Sequence, residues 1–357
     1  MRPCVAPPGL FFGYACPPAY GDSEACVWKT DDWKIEITKC LGEIQRISYV
    51  RTTDGGATWK APMAAAKYPR YYIWSTGKWY WNLPQSPKVT RGIGNDLFVA
   101  WQTWFWPGWS RVGVALPLES QIKVIRSNDA GASFGPAATA ADVTIASGLQ
   151  GSFPLYALAA LAVDTSGGPN SGTAYVSWHD GRNRSVPSFG AAGWDAGRYK
   201  FSDVLLARSV DRGTSWSAPV RVNDDPITLN VDHFFPSLTV DRSGKLYSLF
   251  YDRRNDQRNF RIDTYLATSE DGGRTFENKR LTRESMPPLT AVPVDMLVNP
   301  YQHYFAHKVG LAADSTGFGE GVLAAWGDTS RGNLNIATTR TDGDGGDHVA
   351  GRAGQGR

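Results

Sequence analysis

The octet Ser209-Val210-Asp211-Arg212-Gly213-Thr214-Ser215-Trp216 has three further copies in the chain. They read Thr52-Thr53-Asp54-Gly55-Gly56-Ala57-Thr58-Trp59, Ser127-Asn128-Asp129-Ala130-Gly131-Ala132-Ser133-Phe134 and Ser269-Glu270-Asp271-Gly272-Gly273-Arg274-Thr275-Phe276. The common form is Ser/Thr-x-Asp-x-Gly-x-Thr/Ser-aromatic. Such a run suits a hairpin turn: the carboxylate accepts backbone N–H groups, the glycine supplies a positive φ, and the ring closes the turn against a sheet. Each copy follows a strand-like stretch, at 47–50, 122–125, 204–207 and 264–267, so the octets join strands. Asp54, Asp129, Asp211 and Asp271 therefore read as structural turn carboxylates, one to a turn, and not as metal ligands; no metal and no cofactor is expected.

Successive octet aspartates lie 75, 82 and 60 residues apart. Around them runs a second pattern, an apolar strand ending in Val-Asp or Ala-Asp, then a Gly turn, then a strand ending in aromatic and Asp with Arg shortly after. It occurs from Ala160 to Arg182, from Pro236 to Arg254 and from Val309 to Arg331. Four strands per unit at this spacing make an all-β fold of the β-propeller kind. Five four-stranded blades are recognisable and six are expected in total. In the fifth unit, Asn335 to Gly343, the octet is out of register and no aromatic follows, which leaves its outer strand unspecified.

The four octets resemble Asp-box (BNR) repeats, and the order of strands around them resembles the sialidase-like propeller. The resemblance covers roughly residues 43–340 and implies a fold more strongly than an activity. Residues 1–42 then form a Cys-containing N-terminal segment, either part of the closing blade or separate from it, and 341–357 a disordered Gly/Asp-rich tail. Mean octet spacing makes the chain short of six full blades. A missing N-terminal portion and a divergent sixth blade at the start both answer that shortage.

Antiparallel alternation puts the octet turns on one face and the loops after each second strand on the other. In sialidase-like enzymes the latter is the catalytic face. Its candidate substrate-binding residues here are Asp180, Arg182, Arg254, Asp328, Arg331, His233 and His307, with Phe235 beside His233. Trp104 and Trp106 follow another strand, and their rings suit sugar stacking as well as core packing. The run Asp252-Arg253-Arg254-Asn255-Asp256 resembles the sialidase segment that holds a substrate arginine and the acid/base aspartate. That resemblance implies Asp252 or Asp256 as acid, Arg254 as a fork for a sugar carboxylate and Tyr304 as nucleophile. The nearest counterpart of the family's Phe/Tyr-Arg-Ile-Pro motif, His233-Phe234-Phe235-Pro236, has Phe where the arginine belongs.

Composition bounds the alternatives. The chain has 357 residues, 42% hydrophobic and 20% charged, with 38 Gly, 22 Pro and 14 Trp, a globular, turn-rich mixture that favours strands. No apolar run is long enough for a helix to span a bilayer. Net charge is +3 with no basic run, so nucleic acid is not an expected partner. Cys4, Cys16, Cys26 and Cys40 lack zinc-site spacing and read as two disulfides of an oxidising compartment, extracellular or periplasmic, with free buried thiols as the alternative, although no clear signal peptide precedes them. The leading expectation is a sialidase-like glycoside hydrolase cleaving terminal sugars from glycans at the propeller axis. The alternative is a non-catalytic propeller that binds glycan or protein through its aromatic-rich face.

Overall fold

The computed structural model describes residues 27–31, 34–38, 45–68, 70–73, 78–107, 119–147, 159–187, 198–287, 310–313, 321–330, 335–342 and 347–348. All regular structure among them is strand: β1 (Val27–Asp31), β2 (Lys34–Thr38), β3 (Gln45–Tyr49), β4 (Met63–Tyr68), β5 (Arg70–Ile73), β6 (Lys78–Arg91), β7 (Leu97–Pro107), β8 (Glu119–Ser127), β9 (Ala138–Asp142), β10 (Ala160–Val163), β11 (Ala174–Pro187), β12 (Arg198–Ser209), β13 (Val220–Arg221), β14 (His233–Val240), β15 (Leu246–Asp252), β16 (Asp263–Ser269), β17 (Glu277–Arg280), β18 (Gly310–Ala313), β19 (Gly321–Asp328), β20 (Asn335–Asp342) and β21 (Asp347–His348). No helix of the described residues is long and apolar enough to cross a membrane.

The chain divides into two units, 1–85 with 102–121, and 86–101 with 122–357. In the first, β1 pairs antiparallel with β2, β5 with β6, and β3 with β4 across the first octet. The run β6-β7-β8-β9 is the end of a seven-stranded sheet, and a second, third and fourth sheet follow it in the second unit as simple four-stranded meanders: β10-β11-β12-β13, β14-β15-β16-β17 and β18-β19-β20-β21. The last group has its outer strand. β21 pairs with β20 through Arg340↔His348 and Thr341↔Asp347, so part of the segment expected as a tail carries sheet pairing.

The second, third and fourth octets are turns between the third and fourth strands of their groups, and the first is the turn between β3 and β4. The first residue donates its hydroxyl to the aspartate, at 2.6, 2.7, 2.7 and 2.8 Å in chain order. That same oxygen accepts the glycine N–H, at 3.0, 2.8, 2.7 and 2.9 Å. The seventh residue donates its N–H to the same carboxylate, at 2.9, 2.9, 2.9 and 3.0 Å, and its hydroxyl besides. These bonds hold all four carboxyls below the ordinary range, Asp211 at about 2, chiefly through Ser215. Gly56, Gly131, Gly213 and Gly273 all have positive φ. The closing ring varies. Trp216 and Phe276 pack on cores, whereas Trp59 is largely exposed.

Alternation along the strands of the second unit shows why successive sheets stack. In β11, Ala174, Val176 and Trp178 enter a core with Phe98, Ala100, Ile122 and Val124, while Tyr175 enters another with Leu238, Leu246 and Phe250. In β15, Leu246 and Phe250 face that second core, and Tyr247, Leu249 and Tyr251 face a third with Val322, Ala324 and Trp326. The middle sheets are thus apolar on both faces, the side chains alternating between neighbours. First strands are adjacent, β14 packing against β10 and β18. β14 is bulged between Phe234 and Ser237: Phe235 has φ +55°, and Pro236 lacks the N–H a regular ladder would need.

Candidate functional site

The strand-end aspartates Asp180 and Asp252 lie at the ends of their sheets away from the octets. In the third sheet Leu246 lies opposite Ser269, where the octet begins, and Asp252 lies opposite Asp263 at the far end. In the second, Ala174 lies opposite Ser209 and Asp180 opposite Asp203. This is the face the strand order predicts for the aspartate–arginine motif.

There the motif closes on itself. Asp180 accepts the Arg182 N–H at 2.9 Å, its Nε at 2.8 Å and its Nη2 at 2.7 Å, together with the Trp178 indole N–H at 2.9 Å and the Thr144 N–H at 3.2 Å. Asp252 accepts the Arg254 N–H and Nε, both at 2.7 Å. Asp328 accepts the Ser330 N–H at 2.8 Å. One turn, with the carboxylate taking the N–H two residues on, recurs at all three strand ends. Asp180 and Asp252 are fully buried.

Arg254 is engaged on every side. Besides Asp252 it bonds Asp224, donates to Asn278 Oδ1 at 3.0 Å, and lies 4.3 Å from the Tyr265 ring centroid. Burial works against its charge, but Asp252, Asp224 and Asp225 hold its pKa above the ordinary value. A fork so occupied is not open to a sugar carboxylate.

His233 completes the cluster from the start of β14. Its Nε2 lies 3.1 Å from Asp225 and 3.5 Å from Asp252, and its Nδ1 lies 3.6 Å from Asp203 and 3.0 Å from the Ser202 carbonyl oxygen. Full burial alone would lower its pKa. The Asp252, Asp225 and Asp203 carboxylates outweigh that and push it up to about 9, so His233 is a buried cation at neutral pH. Burial raises the Asp252 carboxyl, although His233 and Arg254 oppose it. Asp225 is driven up by burial, but hydrogen bonding to His233 and Asn223 and the charges of His233 and Arg254 leave it low. Three carboxylates, Asp203, Asp225 and Asp252, thus surround His233, with Arg221 and Arg254 at the edge.

Asp256 takes no part in this cluster. Asp256 accepts the N–H groups of Arg258, Phe260 and Arg261 at 3.0, 3.1 and 2.7 Å; burial would raise its carboxyl, but these bonds hold it below the ordinary value. It staples its own loop. Phe235 is buried and meets the His179 ring edge-on at 5.7 Å. Trp104 is buried and presents no open ring face for stacking. Trp106 lies on β7, but its side chain, like Tyr304, His307, Arg331 and all four cysteines, falls outside the described residues.

The residues that sequence reading missed are Asp203, Arg221, Asn223, Asp224 and Asp225. Asn223 donates to Asp203 and Asp225, both at 2.7 Å, and accepts the Val204 N–H. A signal was present. Val220-Arg221-Val222-Asn223 after the third octet parallels Lys279-Arg280-Leu281-Thr282 after the fourth, and Arg280 and Thr282 likewise hold Asp263, at 2.7 Å each.

No known family profile matches the sequence, and no curated protein does. Similarity is found among solved structures. A Hadza microbial sialidase is 16% identical with a TM-score of 0.43, covering 81% of this chain and 55% of its own. A leech intramolecular trans-sialidase is 12% identical at 0.47, covering 83% and 53%. A GH93 α-L-arabinofuranosidase of Fusarium graminearum is 11% identical at 0.43, covering 82% and 68%. The chain spans about half the length of the first two. All three TM-scores are below 0.5, so the reading of the fold rests on the stacked sheets themselves.

Proposed function

We propose that this chain is an Asp-box β-propeller of five or six blades that binds glycan on the face opposite its octets, without using the Asp252–Arg254 pair for hydrolysis. One observation carries the reading: among the described residues of that face, Asp180 with Arg182 and Asp252 with Arg254 spend their hydrogen bonds on one another. The octet resemblance supplies the ligand class. The cysteines add that the protein works in an oxidising compartment, outside the cytoplasm.

A hydrolytic reading is favoured by one specific feature, the raised carboxyl of Asp252, which burial equips to hold a proton as a general acid does. In that reading Tyr304 is the nucleophile and Arg182, Arg331, Asp180, Asp328, His233 and His307 line the substrate. Chromogenic glycosides, including a sialoside and an arabinofuranoside, separate the two. The binding reading expects no turnover above background, together with glycan binding in an array. Turnover that falls by about 10²–10⁴ in both Asp252→Asn and Tyr304→Phe would replace it with the hydrolase. Titration of the folded, unreduced protein should find no reactive thiol; reactive cysteines would remove the oxidising compartment.

A further inference from the structure

A second site lies at the octet end of the molecule. A cleft of about 620 Å³ opens between the loop after β10 and the fourth octet, with Asp164, Ser166, Asn170, Lys245 and Arg274 among the residues that line it. Asp164 is fully buried. Its Oδ1 accepts the Ser166 N–H at 2.8 Å, but its Oδ2 has no hydrogen-bond partner among the described residues. A buried acceptor left unmade is costly, so an occupant that donates to it is favoured.

The neighbouring sheet shows what is missing. Asp241 stands after β14 as Asp164 stands after β10, and there Tyr247 donates to Asp241 Oδ2 at 2.9 Å. Tyr175 is the positional equivalent of Tyr247, yet its hydroxyl, which interacts with Thr173, makes no hydrogen bond to Asp164 Oδ2. The connection from β10 to β11 is longer than that from β14 to β15. Approach to Asp164 is kept open by Gly244, which has φ +88° and whose added Cβ would stand 3.3 Å from Asp164 Oδ2 and 2.9 Å from Ser166 Oγ.

We propose that this cleft is a second carbohydrate site, in which a ligand hydroxyl donates to Asp164 Oδ2 while Lys245 and Arg274 donate to neighbouring hydroxyls. A hydroxyl can give to the Asp164 oxygen and accept from the Lys245 and Arg274 donors of the lining, whereas an ammonium group only gives. The lining has donors and acceptors but no aromatic ring, so recognition is by hydroxyls and not by stacking. The inference stands on the cleft alone and not on the opposite face.

Saturation-transfer NMR on the full chain, with the methyl glycosides of glucose, galactose, mannose and N-acetylglucosamine as probes, tests it. At least one should bind, and Asp164→Asn and Lys245→Met, each shown folded by circular dichroism, should weaken it about tenfold. Lys245 is partly exposed, so its replacement keeps the test alive if Asp164→Asn fails to fold. No signal from any glycoside leaves the cleft with bound water only and overturns the proposal. Signals unchanged in the Asp164 and Lys245 variants but lost in Asp252→Asn also overturn it, while supporting sugar binding on the opposite face.

Discussion

The second and third sheets of the larger unit carry the same polar motif and close it in different ways. In the second, Asp180 is satisfied by its own sheet and the strand before it: Arg182, the Trp178 indole and the Thr144 N–H. In the third, the place of Trp178 is taken by Phe250, which has no donor, and Asp252 turns to His233. His233 in turn reaches back to Asp203 and Asp225, beside the second sheet. One carboxylate is locally self-sufficient, and the other is part of a junction. The junction places three carboxylates around one imidazolium, an arrangement that holds only while every member is present.

The largest expected effect breaks that junction. His233→Leu removes the cation and leaves Asp203, Asp225 and Asp252 buried together, and breaking a buried pair costs about 3–5 kcal/mol. Trp178→Phe, which takes one donor from Asp180 while Arg182 remains, should cost only about 1 kcal/mol. Urea denaturation of the two variants measures the difference. Equal losses would mean that the His233 junction contributes no more than the self-contained turn.

The same comparison has a pH signature. The folded His233 pKa of about 9 lies above its ordinary 6.5, so its contribution is fully present below about pH 6.5 and is lost as pH rises through 9. The difference corresponds to about 3 kcal/mol. The charged groups facing it are Asp203, Asp225, Asp252 and Arg254. Stability measured from pH 6 to 10 should fall in the parent and stay flatter in His233→Gln; parallel curves would place the alkaline loss elsewhere.

These contrasts show what could be read in the sequence and what could not. The octets were legible because each bond in them spans four residues or fewer, so residue type alone states the partner. Asp180 and Asp252 were legible as strand ends for the same reason, since their own arginines are two residues away. The partners of His233 were not. Asp203 is 30 residues back in the chain and Asp225 eight, and only the stacking of the second sheet on the third brings both to the ring. The further partners of Arg254 were hidden for that reason, because Asp224 and Asn278 reach it from other strands or loops.

At the opposite end of the sheets the comparison narrows to one hydrogen bond. Tyr247→Phe should leave Asp241 with the orphaned oxygen that Asp164 already has, at a cost of about 1–3 kcal/mol. Tyr175→Phe removes a hydroxyl that makes no hydrogen bond to Asp164 Oδ2 and should cost less. A thermal melt of each is sufficient. A large loss in Tyr175→Phe would show that its hydroxyl is already bridged, which is the state a filled cleft produces.

The smallest difference lies between the octets themselves. Gly213 and Gly273 have φ +87° and +78°, so an alanine at either place meets the same left-handed penalty of about 1–2 kcal/mol. Their surroundings differ. A Cβ on Gly213 would approach only the Phe98 ring, at 3.3 Å, whereas one on Gly273 would meet Leu206 at 3.1 Å and Leu246 and Tyr175 at 3.3 Å. Those three side chains belong to one packed core and cannot all yield together, so Gly273→Ala should melt below Gly213→Ala by an increment smaller than the shared penalty. The reverse order would mean that the core between the second and third sheets yields more readily than the single ring under the third octet, and would move the stiffest part of the unit away from the His233 junction.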